Sequence, residues 1–266
     1  THAFLKLLFL GLCFWLLPQS VVASGTSKRV LILQTLSSPF LEKSTARFRA
    51  EMTHLGFKDG TDVSYSVLNA KGDYGRAKSL LTSAIDESTP DLVVTVATLA
   101  TRAGRDLLSG TTIPQMFLIV TDPVGEGFVS EMGKTSGSNI TGQSHVVPVE
   151  SQLALVSQIL QTAKRDTPFR IGILRSTYPS AAGMPIVNSG NIRNARLGAM
   201  LALQSTVELN GRAAAEAASA ILSGTDPADI PVTRPSKFIA GVNVLTAARL
   251  GAVIPSGILE LAQENV

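Results

Sequence analysis

Along the first half of the chain, short apolar runs alternate with stretches whose apolar residues recur at helical spacing. Arg29 to Gln34 (RVLILQ) is a continuous β-rich run, and a polar turn from Thr35 to Pro39 follows it. From Phe40 to Phe57 the apolar residues Phe40, Phe48, Met52 and Leu55 fall on one helical face, with Gly56 as the stop. Val63 to Leu68 places Val63, Tyr65 and Val67 on one side of a strand, and Tyr74 to Glu87 turns Ala77, Leu80, Leu81, Ala84 and Ile85 inward on a helix. Leu92 to Val96 is a buried strand, Thr98 a natural N-cap for a helix running to Leu108, and Ile113 to Val120 a further strand. Successive βα units of this kind predict a parallel sheet with right-handed crossovers.

The stretch from Glu131 to Gly142 is rich in Gly, Ser and Thr and reads as a connector. Beyond it the pattern starts again. Ser151 to Ala163 is amphipathic, Arg170 to Arg175 repeats the character of the first strand, and Met184 to Asn188 is another strand candidate. Asn210 to Leu222 is an Ala-rich helix, Lys237 to Val242 a late strand, and Ile258 to Ala262 a closing helix. The expected fold is therefore α/β, with two Rossmann-like lobes. The first comprises 28–145 plus about 192–228, and the second 146–191 plus about 229–266.

Composition narrows the chemistry. Leu7 to Leu17 is an apolar core after Lys6, and Val21-Val22-Ala23 supplies small residues for cleavage, so 1–23 reads as a secretory signal peptide, with an uncleaved membrane anchor as the alternative. Cleavage after Ala23 would remove Cys13 and Trp15, the only Cys and Trp, which excludes thiol catalysis and Cys-ligated metal in the remainder. His54 and His145 would be the two remaining histidines, too few and too far apart in sequence for a metal centre. Net charge is +3 with acids and bases interspersed, so no basic stripe points to nucleic acid. Gly133-Lys134-Thr135 resembles the end of a phosphate loop, but Phe128 stands where the first glycine belongs; Gly125-Glu126-Gly127 meets Ser130 where the dinucleotide fingerprint needs a third glycine. No nucleophile–base pair can be assembled, which argues against an enzyme and requires no cofactor.

Three polar loops remain, each after a strand: Thr35 to Pro39 with Ser37 and Ser38, Ala97-Thr98, and Thr121-Asp122-Pro123-Val124. Ligands of open α/β sheets collect beyond the carboxyl ends of strands, and helix N-termini there favour a carboxylate. Asp122 offers the opposite charge, suited to an ammonium, so an amino acid would satisfy both. The competing reading makes these residues ordinary caps, with Asp122 capping the segment after it.

At these residues the chain resembles the ABC-transporter substrate-binding protein family of the two-lobed periplasmic type. The resemblance rests on Val30 to Gln34, Leu55-Gly56-Phe57, Pro90 to Val94, Ala97-Thr98, Thr121-Asp122-Pro123-Val124, Asn139-Ile140-Thr141-Gly142, Gly211 to Ala214, Asp229-Ile230-Pro231 and Asn243 to Pro255. It implies the type I periplasmic-binding fold and an extracytoplasmic, periplasmic protein, expected as a monomer, that delivers a small organic ligand of the amino-acid class to a permease. Ser37, Ser38, Thr98, Thr121 and Asp122 would bind from the first lobe, and Asn188, Ser189 and Tyr178 from the second. One departure stands out. Between Leu174 and Met184 the family has further βα units, and at ~30 residues per unit roughly two are missing. The resemblance thus implies a shortened second lobe, and leaves a non-binding relative or a ligand-sensing signalling component as alternatives.

Overall fold

The computed structural model describes residues 27–164, 174–175, 185–186 and 192–265. The apolar segment at 7–17 and three expected ligand contacts, Tyr178, Asn188 and Ser189, lie outside them, as do most residues of the two strands expected at 170–175 and 184–188. In chain order the elements are β1 Lys28–Gln34, α1 Pro39–His54, β2 Val63–Asn69, α2 Tyr74–Glu87, β3 Leu92–Val96, α3 Thr98–Leu108, β4 Gln115–Val120, β5 Ile140–Ser144 and α4 Val149–Gln161. There follow β6 Leu174–Arg175, β7 Pro185–Ile186, β8 Leu201–Gln204, α5 Val207–Leu222, β9 Ile239–Val242, α6 Val244–Arg249, α7 Ser256–Leu259 and β10 Ala262–Asn265. Among the described residues no helix is long and apolar enough to cross a membrane.

The first sheet is parallel throughout, in the order β2-β1-β3-β4-β5. Its apolar runs are explained by burial on both faces. Val30 and Ile32 of β1 pack with Phe48 and Met52 of α1 and with the alanine face of α5. Leu31 and Leu33, pointing the opposite way, pack with Leu81 of α2 and Ala100 and Leu108 of α3. Gly211 permits the close α1–α5 approach, since a Cβ there would lie 2.6 Å from the Arg47 side chain.

The expected connector from Glu131 to Gly142 ends instead in the edge strand β5, with Gln115–Ile140 and Phe117–Gly142 in register. Its sequence, ITGQS, carries no apolar run because the segment 230–233 covers it. Thr141 Oγ1 donates to the Ile230 carbonyl at 2.8 Å, and the Ser144 N–H donates to the Thr233 carbonyl at 2.8 Å. Gly142 is required at close quarters, since a Cβ would meet the Phe117 carbonyl oxygen at 2.2 Å.

The second sheet has three strands among the described residues, β10-β9-β8, with β8 antiparallel and β10 parallel to β9. Its core joins Ile159 of α4, Leu203, Val242, Ala247 of α6 and Ile258 of α7. Residues 201–204, assigned from sequence to the first lobe, pair in this second sheet, and the chain returns to the first only with α5. The closing helix expected at Ile258 to Ala262 spans Ser256–Leu259, after which Ala262 enters β10. β6 and β7 form a separate antiparallel pair.

Candidate ligand-binding site

In the order 2-1-3-4-5 the connections from β1 and β3 leave toward opposite faces, which opens a crevice at their carboxyl ends. A cavity of about 480 Å³ occupies that place. Leu36, Phe40, Leu41, Leu99 and Ile119 give it apolar walls; Thr35, Ser38, Thr98, Arg102, Thr121 and His145 give it polar groups.

The start of α3 departs from the expectation. Ala97, not Thr98, occupies the cap position, and it provides no side-chain hydrogen bond. Thr35, arriving from the end of β1, supplies the missing oxygen: its Oγ1 accepts from the Ala100 N–H at 3.1 Å and donates to the Val96 carbonyl at 2.9 Å. The chain is thus turned so that Thr98 is the first helical residue. The residue is 2% exposed and lines the cavity, and its Oγ1 is buried without a partner. Ala97 has φ 69° and Ile119 φ 62°, left-handed values that cost a residue with a Cβ, and a β-branched one most. Both line the cavity, and Ile119 sits where β4 slips register against β5. Strain concentrated in a ligand crevice is what a packed scaffold sustains for function.

Of the residues expected to bind, Ser38, Thr98 and Thr121 line the cavity. Ser38 also caps α1, accepting from the Leu41 N–H at 3.3 Å. Ser37 and Asp122 are not part of the lining. Ser37 Oγ accepts from Asn69 Nδ2 at 2.9 Å, and Asp122 Oδ1 accepts from the Gly125 N–H at 2.9 Å, closing the turn after β4. The cap reading of Asp122 therefore describes the contact it makes here. Asn139, in the NITG element, spends its Nδ2 on the carbonyls of Leu108 and Ile113, both at 2.8 Å, so it pins loops together.

Sequence reasoning passed over Arg102 and His145, and named Thr35 only as the start of its loop. The Arg102 guanidinium bonds both carboxylate oxygens of Glu126 and so ties α3 to the turn that Asp122 closes; this pairing raises its pKa further above an already high value. His145 follows β5 directly, packs its ring 6.1 Å from that of Phe40, and has its Nδ1 buried without a partner. Burial pushes its pKa down to about 4, against a smaller opposing effect of the Val120 carbonyl. The ring is partly accessible, but Nδ1 itself is shut off from water. Among the described residues no group of three His, Cys, Asp or Glu side chains could hold a metal ion.

The comparisons agree with this architecture. The family model "ABC transporter substrate binding protein" matches residues 29–182, more than half of the chain. A tyrosine-binding protein of Clostridioides difficile (strain R20291) is 27% identical over 154 residues, 58% of this chain but only 42% of that protein, so the match spans less than half of the relative's length. A ligand-free, open structure of a substrate binding protein with adhesive properties from Clostridium difficile superposes with a TM-score of 0.69 at 21% identity, covering 90% of this chain and 99% of that one. The ABC domain in complex with L-Trp from Streptococcus pneumonia gives 0.66 at 19% identity, covering 91% and 100%. The fold is that of the two-lobed periplasmic binding proteins with a small second lobe. With more than half of its length matched by the family model, the chain belongs to the ABC transporter substrate binding protein family.

Proposed function

We propose that the chain captures an amino acid outside the cytoplasm and presents it to the permease of an ABC transporter, the segment 1–23 acting as its export signal. The observation that carries the amino-acid reading is the start of α3: an eleven-residue helix whose own cap residue, Ala97, gives no side-chain hydrogen bond, and whose first residue, Thr98, lines the cavity with a buried hydroxyl that has no partner. The N–H groups of a first helical turn, the positive end of the helix dipole and a hydroxyl together suit a carboxylate. Ser38 and Thr121 add hydroxyls, and the apolar wall of Leu36, Phe40, Leu41 and Ile119 receives a side chain. A volume of about 480 Å³ suits a small organic ligand. The relatives whose names record tyrosine binding and bound L-Trp support an aromatic amino acid. Asn188, Ser189 and Tyr178 are proposed to close from the second lobe.

Thr98→Val separates ligand binding from folding. The substitution preserves shape and removes a hydroxyl that is unpaired in the free protein, so stability should hold or rise slightly. Affinity for L-tyrosine or L-tryptophan, measured by calorimetry, should fall about 10-fold or more. Wild-type affinity in this variant would exclude the α3 terminus from the site. A second reading, a relative that no longer binds, draws on the small second lobe and its exposed Leu197 and Val253; a cooperative melt unmoved by an amino-acid panel would favour it.

A further inference from the structure

We infer that Nδ1 of His145 accepts a hydrogen bond from the ammonium group of the bound amino acid, which makes His145 a ligand contact on the first crossing between the lobes. This rests on the amino-acid reading above. With the carboxylate at the start of α3, the ammonium needs an acceptor within the same cavity. Asp122 is outside the lining and already accepts from Gly125. The Thr35 hydroxyl is engaged with Val96 and Ala100, and that of Ser38 with Leu41. His145 lines the cavity, its Nδ1 is buried within that wall without a partner, and an uncharged imidazole carries one lone-pair nitrogen free to accept. Desolvation keeps the ring uncharged near neutral pH, so it does not repel a cation. Phe40 packs against the ring and narrows its choice of orientation.

The position of His145 gives the contact a second consequence. Ile140 belongs to the core beside the first sheet, whereas Val147, two residues past His145, belongs to the core of the second. The crossing at 142–144 is hydrogen-bonded to the returning segment at Thr233: the Thr233 N–H donates to the Gly142 carbonyl at 3.0 Å, and Gln143 pairs with Thr233. A ligand held by Nδ1 is therefore tied to the ribbon through which the second lobe is attached.

The test uses the full chain with L-tyrosine, L-tryptophan and, for each, the same acid lacking its amino group. His145→Phe keeps a ring against Phe40 and removes the acceptor; it should weaken binding of the amino acids about 10- to 100-fold while leaving the weaker binding of the desamino acids unchanged. Nitrogen-15 spectra of the histidine-labelled wild type should show Nδ1 in its lone-pair form, with its resonance moved on addition of either amino acid. A wild-type amino-acid affinity for His145→Phe, an equal loss for the desamino acids, or a proton on Nδ1 in the complex would each overturn the inference and leave the amino-acid reading standing. If His145→Phe fails to melt cooperatively, the nitrogen spectra alone decide. Absence of binding by wild type to every amino acid tested would instead refute the amino-acid reading, and this inference with it.

Discussion

Thr35→Val tests whether a residue at the end of β1 really holds the start of α3. Valine matches threonine in shape but removes Oγ1, which accepts from the Ala100 N–H at 3.1 Å and donates to the Val96 carbonyl at 2.9 Å. The two bonds are not equal in consequence. The Val96 carbonyl still accepts from the Thr35 backbone N–H at 3.1 Å, so its loss costs about 0.5–1 kcal/mol. The Ala100 N–H is left without that acceptor in a position where the residue is fully buried, which costs about 1–3 kcal/mol. The sum is about 1.5–4 kcal/mol, less a small gain from the added methyl. Thr35→Ser keeps both bonds and gives up one methyl, about 0.8 kcal/mol. Urea denaturation of the two variants should therefore rank serine well above valine, with faster hydrogen exchange at the Ala100 amide in the valine variant. A valine variant within about 0.5 kcal/mol of wild type, or one equal to serine, would refute the account of Thr35 as the cap of α3.

Three further outcomes follow from charged and titratable groups. Asp122→Ala should lower stability by about 1 kcal/mol, the worth of a turn-closing hydrogen bond, with amino-acid affinity changed less than about twofold; a large loss of affinity in calorimetry would return Asp122 to the ligand. His145, with a folded pKa of about 4 against an ordinary 6.5, binds its proton more readily in the unfolded chain. Its contribution is therefore complete above about pH 6.5 and is lost as pH falls toward 4, about 1–2 kcal/mol by pH 5. Denaturation midpoints across that window should slope for wild type and flatten in His145→Phe. Asp106 belongs to a different window: held low first by the Tyr74 hydroxyl and then by Arg105, its contribution falls away only as pH drops below the ordinary carboxylate range.

The strain at Ala97 and Ile119 fits the same picture. Both residues are held at positive φ by well-packed surroundings, Ala97 between β3 and a helix whose cap comes from elsewhere, and Ile119 at the register slip of β4. Such backbone places the first N–H groups of α3 and the Thr121 hydroxyl around one crevice before any ligand arrives. Preorganisation of this kind reduces the ordering cost of binding.

By itself, the sequence determined the first four strands of the first sheet. Runs such as VLIL and LVVTV are apolar at every position because helices cover both faces, and that local pattern is readable without knowing which helices they are. It also located the carboxyl ends of β1, β3 and β4 as the place for polar chemistry, and Ser38, Thr98 and Thr121 do face the cavity there. Tertiary structure decided the rest. β5 is polar in sequence because its burial comes from a segment about ninety residues further along, as the Thr141–Ile230 bond shows. Thr98 is a usual cap residue, but the cap of α3 comes from Thr35, sixty-five residues before Ala100. Asp122 is three residues from Gly125 and closes a local turn, whereas His145, unremarkable in sequence, reaches the cavity because β5 completes the sheet beside β4. Local pattern records which positions are buried; only the pairing of distant segments determines which polar atoms are left without a partner, and those atoms make the site.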